Sequence, residues 1–293
     1  MTTGTWASHY GFRWGNGPTV GLRATADATA WLARFADVLS LEALGDDGAC
    51  DLWLEFDRAD RPRPPAASTW ADGARCHTIY GVAFWEHPDH PHIAVCITHE
   101  PSQEAELYNR WSVMQALYRT ALRHGGLPLH GALAAWQQRG LVIAAPGGTG
   151  KSTTLRRLPD AWRPLCDDEI LMVPHGPGWR LHPMPTWSNF VLDREPRRWP
   201  CEEHVDLHAV CFLKHADTVR LERLPVSQAA VLLMQSARQI LRRGWGDVDE
   251  VTLHAHKTMV LETASTVAAS IPMHLLHLPR DGEFAHLLEG VLA

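Results

Sequence analysis

Two patterns of apolar and polar positions follow one another along this chain. In residues 25–44 (TADATAWLARFADVLSLEAL) apolar side chains recur at helical spacing, with Trp31, Phe35 and Leu39 on one face, which predicts an early helix. The segments DLWLEFD (51–57), TIYGVAFWE (78–86) and HIAVCITHE (92–100) alternate or run apolar as strands do, and RADRPRPPAAS (58–68) reads as a loop. Ser102 then stands as the N-cap of a long amphipathic helix over 103–126, closed by Gly125 and Gly126. Leu107, Trp111, Met114, Leu117 and Ala121 form its expected buried stripe.

Past that helix the pattern changes. LPLHGALAAW and GLVIAAP read as short strands joined by the turn QQRG, followed by a Gly-rich loop and a helix from about Lys151 to Leu158. WRPLCDDEILMV, GWRLHPM and VDLHAVCFLKH are strand-like, and PVSQAAVLLMQSARQILRR is helical, with Ala230, Leu233, Met234, Ala237 and Leu241 on one face. The end reads as strand, turn and closing helix. The expected organisation is a strand-rich α+β domain over 1–101, a bridging helix over 102–126 and an α/β domain over 127–293.

Composition narrows the partners. A net charge of −6 without a basic run argues against broad nucleic-acid binding. No stretch approaches the roughly 20 apolar residues that cross a bilayer, and the N-terminus lacks an apolar signal region, so no membrane partner is expected. Cysteines 50, 76, 96, 166, 201 and 211 lack C-x-x-C spacing, which suits reduced thiols and a cytoplasmic setting. Only three lysines occur, and one of them, Lys151, falls in the loop.

That loop runs Ala145-Pro146-Gly147-Gly148-Thr149-Gly150-Lys151-Ser152-Thr153. It fits G-x-x-x-x-G-K-[ST] except that alanine stands at the first glycine, and an apolar strand and a helix flank it as the motif requires. Backbone N–H groups of such a loop, with the helix dipole behind them, replace water around phosphates. Lys151, expected to face the ligand, would reach the β- and γ-phosphates, and the Ser152 hydroxyl would help hold Mg²⁺. Sixteen residues after Lys151, Asp167 and Asp168 end an apolar run. Two adjacent carboxylates at a strand end suit transfer to a hydroxyl, one over the metal and one taking the proton.

The stretch PLHGALAAWQQRGLVIAAPGGTGKSTTLRRL…RPLCDDEILMV resembles the catalytic core of the HPr kinase/phosphorylase family, P-loop kinases related in fold to phosphoenolpyruvate carboxykinase. The likeness covers about 45 residues, Pro128 to Val173, in order and spacing, with His130 placed 21 residues before Lys151. HPMPTWSNFVLDREPRRWP stands where that family carries a second, Gly-rich signature, which argues against the HPr protein as acceptor and against a phosphorylase reaction. The chain is thus more similar to the divergent HPr-kinase-like proteins encoded beside peptide-modifying genes, the lasso-peptide kinases and the ScmC group.

The resemblance implies an ATP- and Mg²⁺-dependent kinase acting on a serine of a small precursor peptide or protein, in a homo-oligomer as is common among HPr kinases. It assigns Asp167 as proton acceptor and Asp168 to the metal, with the exchange of these roles open, and places His130 beside the phosphates. Arg194, Arg197, Arg198, Arg223, Arg238 and Arg242 are all candidates to neutralise the transferred phosphoryl. Glu169 reads as structural. A nucleotide-binding sensor and a small-molecule kinase are the alternatives. EHPDHPH (Glu86 to His92) reads as a polar loop rather than a metal site, the pair His254 and His256 carries little, and Trp187, in a Pro-bounded loop after the aspartates, is placed to touch nucleotide or peptide.

Overall fold

A computed structural model of the chain describes residues 5–45, 49–98, 102–187, 198–246 and 248–293. The first part of the chain forms a six-stranded mixed sheet in the order β1 (Ser8–Arg13), β2 (Thr19–Ala24), β3 (Leu52–Ala59), β6 (Ile93–Thr98), β5 (Val82–Glu86), β4 (Arg75–Ile79). β2, β3 and β6 run parallel, and α1 (Thr29–Val38) connects the first two. Trp31, Phe35 and Leu39 are buried as their spacing predicts, and the Trp31 ring stacks on Phe35 and Phe56.

The segment 78–86 is not one strand. Tyr80 takes a left-handed backbone (φ 50°) before Gly81, and the chain reverses between β4 and β5. An aromatic at the turn keeps the segment apolar and hides the reversal. Its ring is stacked on Tyr108 with centroids 5.1 Å apart, a contact that holds the turn.

The helix α2 (Gln103–Arg123) starts where Ser102 Oγ accepts the Ala105 N–H at 3.1 Å, and Gly125 follows it with φ +76°. Trp111, Met114, Leu117 and Ala121 are buried, Leu107 partly so. They pack α2 against β5 and β6 on one side and a strand of the second sheet, β7 (Leu127–Trp136), on the other.

The second sheet runs β11 (Gly178–Pro183), β10 (Glu169–His175), β7, β8 (Arg139–Ala144), β12 (Val205–His215), β14 (Met273–Leu278), β13 (Arg220–Arg223). β9 (Trp162–Cys166) joins the end of β7, and β11 also meets β12, which curls one end of the sheet on itself. β8, β12 and β14 are parallel. Alternation along these strands feeds two cores. Leu133, Val142, Val210 and Phe212 face α4 (Val226–Leu241) and α5 (Glu250–Ser270), while Ala132, Leu141, Ile143 and Cys211 pack with Leu155 of α3 (Lys151–Arg156) and Leu288 of α6 (Ala285–Leu292).

The helix α5 has no counterpart in the sequence reading. Its buried stripe is His256, Val260, Thr263, Ala264 and Val267, and the two polar members mask a helical spacing that is otherwise regular. Trp187 also departs from expectation. It is 5% exposed and packed in the main core, so it fills core volume and presents little surface to a ligand. Among the described residues, no helix is long and apolar enough to cross a membrane.

Candidate phosphate-loop site

The loop begins where β8 ends. Gly148 (φ +77°) and Gly150 (φ +96°) adopt backbone that side-chain-bearing residues avoid, and the Thr149 N–H donates back to Pro146 O at 3.3 Å. A Cβ added to Gly147 or Gly148 would meet nothing within 4 Å, so this stretch presents bare backbone to an open space. Pro146, Gly147, Gly148 and Thr153 are exposed, Thr149, Gly150 and Ser152 half-buried. The first amides of α3 have no carbonyl of their own helix to bond, which leaves them able to take phosphate oxygens.

Lys151 is less exposed than the sequence reading expects, at 6%. Its Nζ lies 2.9 Å from Ala145 O, 3.4 Å from Pro146 O and 2.9 Å from His130 Nε2. Burial lowers its pKa, and the charges of Asp168 and Asp167 oppose that shift. His130 Nδ1 lies 3.1 Å from both the carboxylate Oδ1 and the backbone O of Asp168. One tautomer satisfies the set: Nδ1–H donates to Asp168 and Nε2 accepts from the ammonium.

The aspartates sit in a break between two strands that both pair with β7. Cys166 lies opposite Leu133 and Glu169 opposite His130, so Asp167 and Asp168 cross the strand between these pairings. The Gly131 N–H ties the Asp168 carbonyl at 3.1 Å, and the Asp167 N–H is held by Thr186 Oγ1 at 3.3 Å. Their side chains diverge. Ser152 Oγ donates to Asp167 Oδ1 at 2.9 Å, whereas Asp168 goes to His130. Serine is therefore hydrogen-bonded to the first aspartate, whereas the sequence expectation pairs it with the second at the metal and leaves the exchange of the two roles open. Burial raises the Asp167 pKa, opposed by the Ser152 hydrogen bond and reinforced by Asp168.

Behind this pair Glu169 is fully enclosed. Tyr118 OH donates to its Oε2 at 2.5 Å and Trp111 Nε1–H to its Oε1 at 3.3 Å. Burial, then the Asp168 charge, lift its pKa from 4.5 to about 8 against those two bonds. The folded protein thus keeps a proton that the unfolded chain has lost across this interval, so stability falls as pH rises from about 4.5 to about 8. Glu169→Gln, which cannot ionise, is expected to flatten that fall. Denaturant midpoints across the interval, in parent and variant, measure it.

The arginine candidates scatter. Arg198 pairs with Asp37 at 2.7 Å on the first sheet's helix, Arg223 lies opposite His274 in the β13–β14 pair, and Arg238 and Arg242 are exposed on or just after α4. Arg194 and Arg197 lie outside the described residues. α4 does reach the site, since Ser236 Oγ donates to His130 O at 3.0 Å. Two neighbours escaped the sequence reading. Arg156 bears on the Asp167 carboxylate, and His215 Cε1 lies 3.9 Å from where a Gly150 Cβ would be. His215 had a legible signal, as it ends a strand parallel to β8, on the edge where parallel sheets collect ligands.

A family model described as SynChlorMet cassette protein ScmC matches residues 94–293. Among solved structures, the Hpr(Ser) kinase/phosphatase from Coxiella burnetii aligns at 12% identity over 56% of this chain and 87% of its own, with a TM-score of 0.28. No curated protein matches the chain.

Proposed function

The chain belongs to the ScmC family, and we propose that it is an ATP- and Mg²⁺-dependent kinase that transfers the γ-phosphoryl group to a serine hydroxyl of a peptide or small protein. The observation that carries this reading is the divergence of Asp167 and Asp168, one to Ser152 and the other to His130, at the mouth of a lysine-bearing Gly-rich loop. A protein that only holds nucleotide has no use for a second oriented carboxylate.

The residues fit the groups they would hold. The open backbone at Gly147 and Gly148 suits phosphate oxygens, with Gly150, Lys151, Ser152 and Thr153 continuing the cradle. Ser152 and Asp167 offer two hard oxygen donors, which suits Mg²⁺, an ion that keeps waters and phosphate oxygens as its other ligands. Among the described residues no group of three or more His, Cys, Asp or Glu side chains is built to hold a metal alone. Bound Mg²⁺ supplies neutralisation of phosphate charge. Asp168, oriented by His130, accepts the acceptor's proton as the serine oxygen attacks. Lys151 moves from the loop carbonyls to phosphate oxygens, keeping one positive charge where negative charge builds. This assignment exchanges the roles that the family resemblance gives the two aspartates.

The serine-bearing acceptor rests on the sequence likeness to kinases encoded beside peptide-modifying genes. Incubation with labelled ATP, Mg²⁺ and candidate precursor peptides, with mass spectrometry to locate the label, tests it. Phosphoserine on a peptide is the expected product. ATP binding with no acceptor labelled would turn the reading to a sensor, and a labelled small molecule would overturn the acceptor class.

A further inference from the structure

The phosphate site uses neither the histidine-rich stretch Glu86–His92 nor the histidine pair at 254 and 256. The first stretch and His256 of the second line a cavity of about 940 Å³ between the β4–β5 hairpin and its following loop, the last turns of α2 and the first turns of α5. That volume lies within the range of about 300–1,000 Å³ typical of ligand sites. Its inner wall carries two arginines on one carboxylate. Arg119 Nη2 lies 3.0 Å from Glu86 Oε1, and Arg123 Nη2 donates to Glu86 Oε2. The Arg119 side chain is 2% exposed, and its Nε has no hydrogen-bond partner among the described residues.

His77 and His256 complete this wall, and burial, aided by the Arg119 charge, depresses both pKa values to about 4. Neutral imidazoles leave the wall with one net positive charge. At the mouth Arg75 is paired with Asp249 at 3.5 Å, and Asp89 is exposed. The gradient is positive inside and negative outside. A single carboxylate matches the one net positive charge within, whereas a phosphate monoester, with a charge of about −1.5 to −2, would over-compensate it.

α2 also measures the way to the phosphate loop. Its Trp111 touches Glu169, next to Asp168, and Arg119 and Arg123 lie about 12 and 18 Å further along the axis at 1.5 Å per residue. An extended peptide covers that span in about four to six residues. We propose that this cavity is a second recognition site, separate from the phosphate loop, that takes a carboxylate-bearing segment of the acceptor peptide. The identity of the ligand as acceptor rests on the peptide-kinase reading, while the carboxylate site itself rests on the cavity.

The test is fluorescence anisotropy on the full chain without nucleotide, using labelled acetyl-Gly-Glu-Ala-Gly-Gly amide, which carries one carboxylate, and its neutral glutamine counterpart. The acidic probe is expected to bind and the neutral one not. Arg123→Gln should weaken binding by about tenfold or more, the scale of one charge-assisted hydrogen bond. Thr252→Trp, which fills the mouth without touching Glu86, Arg119 or Arg123 and leaves the Asp249 cap its bonds from the Val251 and Thr252 N–H groups, gives the same loss should Arg123→Gln fail to fold. Lys151→Met and added ATP should leave the probe's binding unchanged. Equal binding of both probes, full binding by Arg123→Gln and Thr252→Trp, displacement by ATP, or stronger competition from inorganic phosphate than from acetate would each overturn the proposal. Because no phosphoryl transfer is read, a protein that labels no acceptor still answers this test. A kinase that ignores the acidic probe refutes the second site alone.

Discussion

Asp168→Asn is expected to bind Mg²⁺-ATP nearly as the parent does and to lose phosphoryl transfer by about 10²-fold or more, the usual scale for removing a positioned base. The amide is nearly isosteric with the carboxylate, and its oxygen can still accept the His130 Nδ1–H, so the contact across 3.1 Å survives while basicity is lost. Asp167→Asn is the informative contrast. Its partner is the Ser152 hydroxyl at 2.9 Å, so the loss should fall on metal affinity and read as a shifted Mg²⁺ titration. Single-turnover transfer rates, nucleotide titrations and Mg²⁺ titrations of both variants separate the two roles. If Asp167→Asn loses rate at saturating Mg²⁺ while Asp168→Asn loses metal affinity, the roles revert to those of the family resemblance. Parent rates in both variants would make the aspartates a turn and nothing more.

Much of this arrangement is legible in the amino-acid sequence, and what is not has definite physical reasons. The loop is readable because three independent demands coincide: an apolar strand, glycines where φ is positive, and one of the chain's three lysines. The helix α2 is readable from its cap and stripe, because Ser102 and the buried positions obey local rules. The turn at Tyr80 is not, since its left-handed backbone is held by stacking on Tyr108, a residue from another element. The partner of Ser152 is also invisible in sequence. Which of two adjacent carboxylates reaches it depends on a shift of pairing along β7, where the chain passes from Leu133 to His130. The cavity behind Glu86 assembles from three segments far apart in the chain. Its histidines therefore read locally as nothing more than a polar loop and a pair that carries little.

Lys151→Met should fold and yet lose phosphoryl transfer by about 10²- to 10³-fold, the scale of removing one preorganised group that stabilises developing charge. Methionine keeps most of the lysine stem's volume and flexibility, so the core beside Leu155 and Ala145 stays filled. Two electrostatic effects on stability oppose each other. Ala145 O and Pro146 O lose a donor, which costs about 1–3 kcal/mol for a buried acceptor and less at the exposed Pro146. Against this, the folded state no longer encloses an ammonium that burial disfavours. Because the two oppose each other, the unfolding midpoint should move less than the loss of the donor alone would move it, while turnover collapses. His130 loses the proton donor on Nε2 but keeps Asp168 on Nδ1, so its ring should stay in place. A thermal melt, an ATP titration and a transfer assay on one preparation suffice. Parent turnover in a folded Lys151→Met protein would remove the phosphate loop from the mechanism, and with it the reason to read Asp167 and Asp168 as a metal ligand and a base.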